Sequence, residues 1–149
     1  VFVTRTFSKL WSMAGCRLGY IIGWPAGIKM VQKLCTPHNT NAFAMKFASE
    51  IIEHPEILQN LIDKFNEGRK YLIDMMDKDG YEYKGEAGNF IFIKPTTNAD
   101  EIVARMKLEK RILIKSYSNV GSLGTCIRVS IGERKFMEQF WSAFIELDK

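Results

Sequence analysis

Acidic side chains are missing from the first third of this 149-residue chain: residues 1–49 carry Arg5, Lys9, Arg17, Lys29, Lys33 and Lys46 and no Asp or Glu. The net charge is only +4, so the other 100 residues, with fifteen cations against seventeen acids, are close to neutral. A local positive field of this kind suits a small anionic ligand such as a phosphate. Nucleic-acid binding calls for denser cation clusters with interleaved aromatics, and no nucleic-acid partner is expected. Cysteine is scarce as well. Cys16, Cys35 and Cys126 form no Cys-x-x-Cys pair and cannot all be paired, so reduced thiols and no metal site are expected. No apolar run approaches the roughly 20 residues of a membrane helix, and no leader pattern opens the chain. These absences point to a soluble, cytoplasmic protein without a membrane partner. What remains is ordinary globular composition, 46% apolar and 26% charged, enough for one real core.

The chain opens on Val1-Phe2-Val3, without an initiator methionine, in an apolar run typical of strands inside a parallel sheet. It therefore reads as the C-terminal portion of a longer protein. A polar loop is expected from Thr4 to Gly15, a short strand from Leu18 to Gly23, and a helix from Pro25 to about Cys35. Asn39, Thr40 or Asn41 is positioned to cap a second helix that runs to Ile52, before His54 and Pro55. From Pro55 to Lys78, Leu58, Leu61, Ile62, Phe65, Leu72 and Met76 recur at helical spacings, which predicts a long amphipathic helix. Tyr81–Lys84 and Asn89–Lys94 read as a hairpin, Ala99–Lys110 as a helix, Ile112–Lys115 and Cys126–Ile131 as strands. Glu133–Leu147 closes as a helix that buries Phe136, Phe140, Phe144 and Leu147, with Met137, Trp141 and Ile145 widening the stripe. The fold class expected is α/β: helices packed on a small, mostly antiparallel sheet, preceded by a remnant of a larger domain. The division falls at residues 1–38 and 39–149.

Chemistry concentrates in Thr6-Phe7-Ser8-Lys9 and the following Ala14-Gly15-Cys16-Arg17-Leu18-Gly19-Tyr20. Two hydroxyls, a lysine and an arginine eight residues later flank a loop of small residues. Such a loop permits close backbone approach, and its donors suit a phosphate. A lysine there can form a Schiff base with an aldehyde whose phosphate the same loop holds. Composition alone favours a surface loop with a solvated lysine.

The stretch from Thr6 to Tyr20 resembles the lysine motif of the fold type I, pyridoxal-phosphate-dependent aminotransferases of class I and II, in particular the branch that includes histidinol-phosphate aminotransferases. Gly88-Asn89-Phe90 and Ile127-Arg128-Val129-Ser130-Ile131-Gly132 are similar to two later motifs of that family, in the same order. The resemblance implies pyridoxal 5'-phosphate as cofactor, Lys9 as the catalytic residue that binds it, and Thr6, Ser8 and Arg17 as its phosphate ligands. It implies that Arg128 clamps the substrate carboxylate and that Asn89 lines the site. It also implies amino acid and 2-oxo acid substrates and a homodimer. At Lys115 the chain departs from the histidinol-phosphate branch, which commonly has an arginine there for the substrate's phosphate. A lysine can still bind phosphate as a point charge.

Tyr20, Trp11 and Met13 are expected to pack, and His38 and His54 are assigned no role. The family's first half, which holds other cofactor contacts, does not appear in this sequence, so the 149 residues alone are expected to be inactive. A threonine-phosphate decarboxylase on the same scaffold and a non-catalytic interaction domain stay open beside the aminotransferase.

Overall fold

A computed structural model describes residues 1–37 and 40–148. His38, Asn39 as a cap, and the expected junction at 38/39 lie outside the described residues. The chain divides into two compact units, Val1–Leu61 and Ile62–Lys149.

In the first unit, β1 (Val3–Thr6) and β2 (Gly19–Ile22) form an antiparallel pair that runs from Val3 opposite Ile22 to Thr6 opposite Gly19. The expected loop from Thr4 is thus strand as far as Thr6. β-branched Val3, Thr4 and Thr6 favour the pleated backbone whatever their polarity. Gly19 is required in this pair, because a Cβ there would lie 2.8 Å from the Arg5 carbonyl oxygen. Helix α1 (Pro25–Gln32) starts on proline, whose fixed φ suits a first turn, and ends three residues before Cys35. Helix α2 (Ala42–Ile52) is capped by Asn41, whose side-chain oxygen accepts the N–H groups of Phe43 and Ala44 at 2.9 and 3.2 Å. The core of this unit is small: Phe7, Met13, Leu18 and Ala48, with Trp11, Cys16 and Ile51 against it. Trp11 and Met13 pack, as expected from the sequence.

Helix α3 (Pro55–Asp79) spans the long periodic stretch. The second unit follows with β3 (Tyr83–Lys84), β4 (Phe90–Ile93), α4 (Ala99–Lys110), β5 (Lys115–Tyr117), β6 (Cys126–Ser130) and α5 (Arg134–Leu147). Its four-stranded sheet has the order β3-β4-β6-β5 and is antiparallel throughout. Side chains alternate across it. Ile91, Ile93, Ile127 and Val129 pack on one face with Leu72, Met76, Ile102, Met106, Phe140 and Phe144. Phe90, Phe92, Arg128 and Ser130 point to the other. Asn98 caps α4 through the N–H groups of Asp100 and Glu101. At Gly68 a Cβ would stand 2.0 Å from the Gly132 carbonyl oxygen, so α3 approaches the turn before α5 as closely as backbone allows.

Two further expectations are corrected. β5 begins at Lys115, not Ile112. Arg111 closes α4 in the left-handed region at φ +56°, and both its N–H and that of Ile112 bond to the Met106 carbonyl. The chain is still turning there and joins β6 only at Lys115 opposite Arg128. Phe136 is 50% exposed, since the buried stripe of α5 runs through Met137, Phe140, Trp141, Phe144 and Leu147 and leaves it one position off.

Asp148 follows α5 and is fully enclosed. Its carboxylate accepts the Thr96 N–H and Tyr81 hydroxyl on Oδ2, at 2.8 and 2.9 Å. On Oδ1 it accepts the Thr97 N–H and hydroxyl, at 2.9 and 2.7 Å. Among the described residues no helix is long and apolar enough to cross a membrane, no acidic, His and Cys side chains cluster as metal ligands, and the three cysteines are free.

Candidate active site

The lysine-bearing loop leaves β1 at Thr6 and returns to β2 at Gly19, residues that face each other in the strand pair. The Phe7 N–H donates to the Leu18 carbonyl at 3.1 Å, which extends the pairing one step into the loop. Beyond that the chain coils tightly. The Ser12 N–H bonds to the Lys9 carbonyl, Met13 N–H to Phe7, Cys16 N–H to Met13 and Arg17 N–H to Ala14. Ser12 and Arg17 both take left-handed backbone, φ +57° and +52°, a conformation costly for non-glycine residues and frequent at binding sites. These two reversals return the loop to its origin. Phe7, Met13 and Leu18 are buried and fix it from below, while Thr6, Lys9 and Arg17 stay exposed and Ser8 half-buried.

The hydroxyls of Thr6 and Ser8 meet at 2.9 Å, and the Ser8 N–H donates to Thr6 Oγ1 at 3.0 Å. Lys9 follows directly. Arg17 stands beside Leu18, which pairs with Phe7, so its backbone lies at the same end of the strand pair as Thr6 and Ser8. Its guanidinium folds back, with Nη1 donating to the Ala14 carbonyl at 3.2 Å. Thr6, Ser8, Lys9 and Arg17 are therefore gathered on one loop. The two hydroxyls touch, and the arginine donates to the Ala14 carbonyl. No Asp or Glu lies within the loop, whose charged side chains are all cations. That is a donor set suited to an anionic oxygen cluster. The Tyr20 ring, though exposed, meets Phe7 at a tilt with 5.9 Å between centroids, a packing contact.

Asn89, Lys115 and Arg128 belong to the second unit. Arg128 and Lys115 face each other across β6 and β5 on the face away from the helices. The Arg128 guanidinium lies over two aromatic rings, 4.3 Å from the centre of Phe90 and 5.0 Å from that of Tyr117. Phe92 meets Tyr117 edge to face at 5.7 Å. Stacking of this kind holds the arginine plane while its edge N–H groups stay available for a bidentate anion. Asn89 is exposed before β4, its carbonyl accepting the Ile131 N–H at 3.0 Å. Phe90 belongs to the Gly88-Asn89-Phe90 motif but was assigned no role from the sequence, and Tyr117 was not singled out. The signal was there in the alternation Phe90-Ile91-Phe92 and in the two-residue step from Lys115 to Tyr117. His54 is exposed and paired with Glu56 at 2.9 Å.

Comparison with known proteins gives a consistent result. The family described as Aminotransferase class I and II matches residues 1–144. The chain is 31% identical over 147 residues to a histidinol-phosphate aminotransferase of Geotalea daltonii, covering 99% of this chain and 42% of that protein. Among solved structures, a histidinol-phosphate aminotransferase from Sinorhizobium meliloti in complex with pyridoxal-5'-phosphate superposes with a TM-score of 0.86. The identity is 23%, over 99% of this chain and 40% of that one. An L-threonine-O-3-phosphate decarboxylase from Porphyromonas gingivalis superposes with a TM-score of 0.80 at 22% identity, over 97% and 46%. The chain thus spans about two fifths of the length of the curated relatives it matches.

Proposed function

The chain belongs to the class I and II aminotransferase family, and from that premise we propose that it works in a pyridoxal-phosphate-dependent transfer of an amino group. The donor is an amino acid or a phosphorylated amino compound such as histidinol phosphate, and the acceptor is a 2-oxo acid. The observation that carries this is the loop from Thr6 to Gly19: paired hydroxyls, a lysine and an arginine at one end of a strand pair, on a loop whose own charged side chains are all cations. Pyridoxal phosphate, when bound, supplies an electron-withdrawing ring for chemistry at the substrate α-carbon.

The protein's own residues divide the remaining work. Thr6 and Ser8 donate hydroxyl hydrogen bonds to the cofactor phosphate. Arg17 swings from the Ala14 carbonyl to supply the charge, and its fork can meet two oxygens at once. Lys9 would hold the cofactor through its aldehyde carbon and would move a proton to and from the substrate α-carbon. Arg128, lying over Phe90 and Tyr117, receives the substrate carboxylate, and Lys115 beside it offers a point charge to a phosphate. Asn89 borders the same strand end. In this reading residues 1–38 belong to the large cofactor domain and 39–149 to the small domain. The working protein is a cytoplasmic homodimer without nucleic-acid or membrane partners.

The test is to mix the chain with pyridoxal phosphate, reduce with borohydride and find the modified lysine by peptide mass, with Lys9→Ala alongside. Stoichiometric labelling confined to Lys9 is expected. Labelling scattered over the surface lysines, or unchanged in Lys9→Ala, would overturn the assignment. Product analysis of the assembled enzyme separates amino transfer, which yields a 2-oxo acid, from decarboxylation, which releases carbon dioxide.

A further inference from the structure

The open face of the second sheet carries a row that the reading above uses only in part. Strand register aligns Lys84 with Phe92, Phe92 with Arg128, and Arg128 with Lys115, one residue from each of the four strands. Their sequence neighbours Tyr83, Ile93 and Ile127 face the core, so all four side chains lie on the opposite face. Strand spacing of ~4.8 Å puts the three cations within roughly 15 Å of one another. Like charges directly across a strand pair are destabilising, as Lys115 and Arg128 are here. An acid would be the ordinary remedy, and two residues along the same face Lys94 has one, Glu82, at 2.7 Å. Among the described residues neither Lys84, Arg128 nor Lys115 has a carboxylate partner. Lys84 is not simply extended into solvent either: its Nζ lies 3.5 Å from the position a Cβ on Gly121 would take, so the side chain reaches toward the loop between β5 and β6.

We propose that Lys84 is a specificity-determining residue that, together with Lys115, holds a distal phosphate monoester on a substrate whose carboxylate lies on Arg128. This rests on the aminotransferase reading. The charges match: one guanidinium for the carboxylate, and two ammonium groups for a phosphate of about −1.5 to −2 at pH 7. Both lysines are point charges on flexible four-carbon stems, able to converge on one group from the two sides of Arg128.

The test follows amide and side-chain NMR shifts of the full chain titrated with O-phospho-L-serine, L-aspartate and L-serine, for the natural chain, Lys84→Met and Lys84→Arg. Lys84 is exposed, so an unchanged spectrum of the free variant verifies its fold. O-phospho-L-serine is expected to bind about fivefold more weakly to Lys84→Met, the size of one exposed charged contact. L-serine should be unaffected, and Lys84→Arg should restore most of the loss. Equal titration of Lys84→Met and the natural chain would overturn the proposal. So would an equal loss for L-aspartate or L-serine, or no binding of O-phospho-L-serine to the natural chain. None of these outcomes touches selective labelling of Lys9, and a failure of that labelling leaves this titration readable.

Discussion

Asp148 is the only charged side chain among the described residues that is buried, 2% exposed, and it shows how one group can tie distant segments together. Burial by itself would raise its pKa, but the hydrogen bonds from Thr96, Thr97 and Tyr81 outweigh that, and the carboxyl is held below its ordinary value of 3.8. The same contact, after burial, pushes the Tyr81 hydroxyl well above its usual range. Because the unfolded chain then binds the proton more readily, Asp148 contributes its full stability above about pH 4 and loses it as the pH falls through the folded value. Asp148→Asn is expected to cost about 2 kcal/mol in urea unfolding at pH 7, typical of a buried, charge-assisted network. The gap to the natural chain should narrow at pH 3.5, and a gap that stays constant with pH would contradict this account. Nothing in the sequence announced Asp148, whose partners lie 67 and 52 positions away. Lys9, Arg17 and Arg128 could be singled out because their neighbours in the chain form ordered motifs, whereas a network assembled from remote segments leaves no local trace.

The helices were legible nearly to the residue, because caps and periodicity are local. Asn41 is one of the three caps the sequence offered for α2, and α3 and α4 follow their apolar spacing. Strands fared less well. Ile112-Leu113-Ile114 has the composition of a strand, yet the position of β5 is decided by the Arg128 register and the turn at Arg111, which is tertiary information. Contact between elements is equally hidden in the sequence. Gly68 would ordinarily be a weak spot in a helix, and alanine there should add about 1 kcal/mol of helix propensity. Its Cβ would meet the Gly132 carbonyl at 2.0 Å, however, and backbone on both sides cannot yield cheaply. Gly68→Ala is therefore expected to destabilise the second unit by about 2 kcal/mol net, visible as a lower denaturant midpoint. A neutral or stabilised variant would show that α3 can retreat from the turn before α5.

Across the whole molecule the apolar surface is unevenly covered. The first unit leaves Phe2, Ile22, Trp24, Met30, Leu34, Phe43, Phe47 and Ile52 exposed, and its two strands have no further neighbour among the described residues. Surfaces of this extent bury themselves in oligomers or aggregates. Sedimentation at rising concentration should show self-association of the chain, lessened by Phe43→Ser with Leu34→Ser, and a strictly monomeric profile would refute it. The fold class was legible in the sequence, as helices on a mostly antiparallel sheet, but the thinness of the first core was not, because composition does not say which apolar residues find partners. Among the described residues, the core cluster of that unit has four buried residues and that of the second has sixteen. Local opening free energies must then differ between them, with amides of the Lys9 loop exchanging from states in which the sheet of the second unit is still intact. Unfolding of this chain is therefore expected in more than one transition, and a single melting temperature would report the clasped sheet and helices while saying nothing about the loop that carries the chemistry.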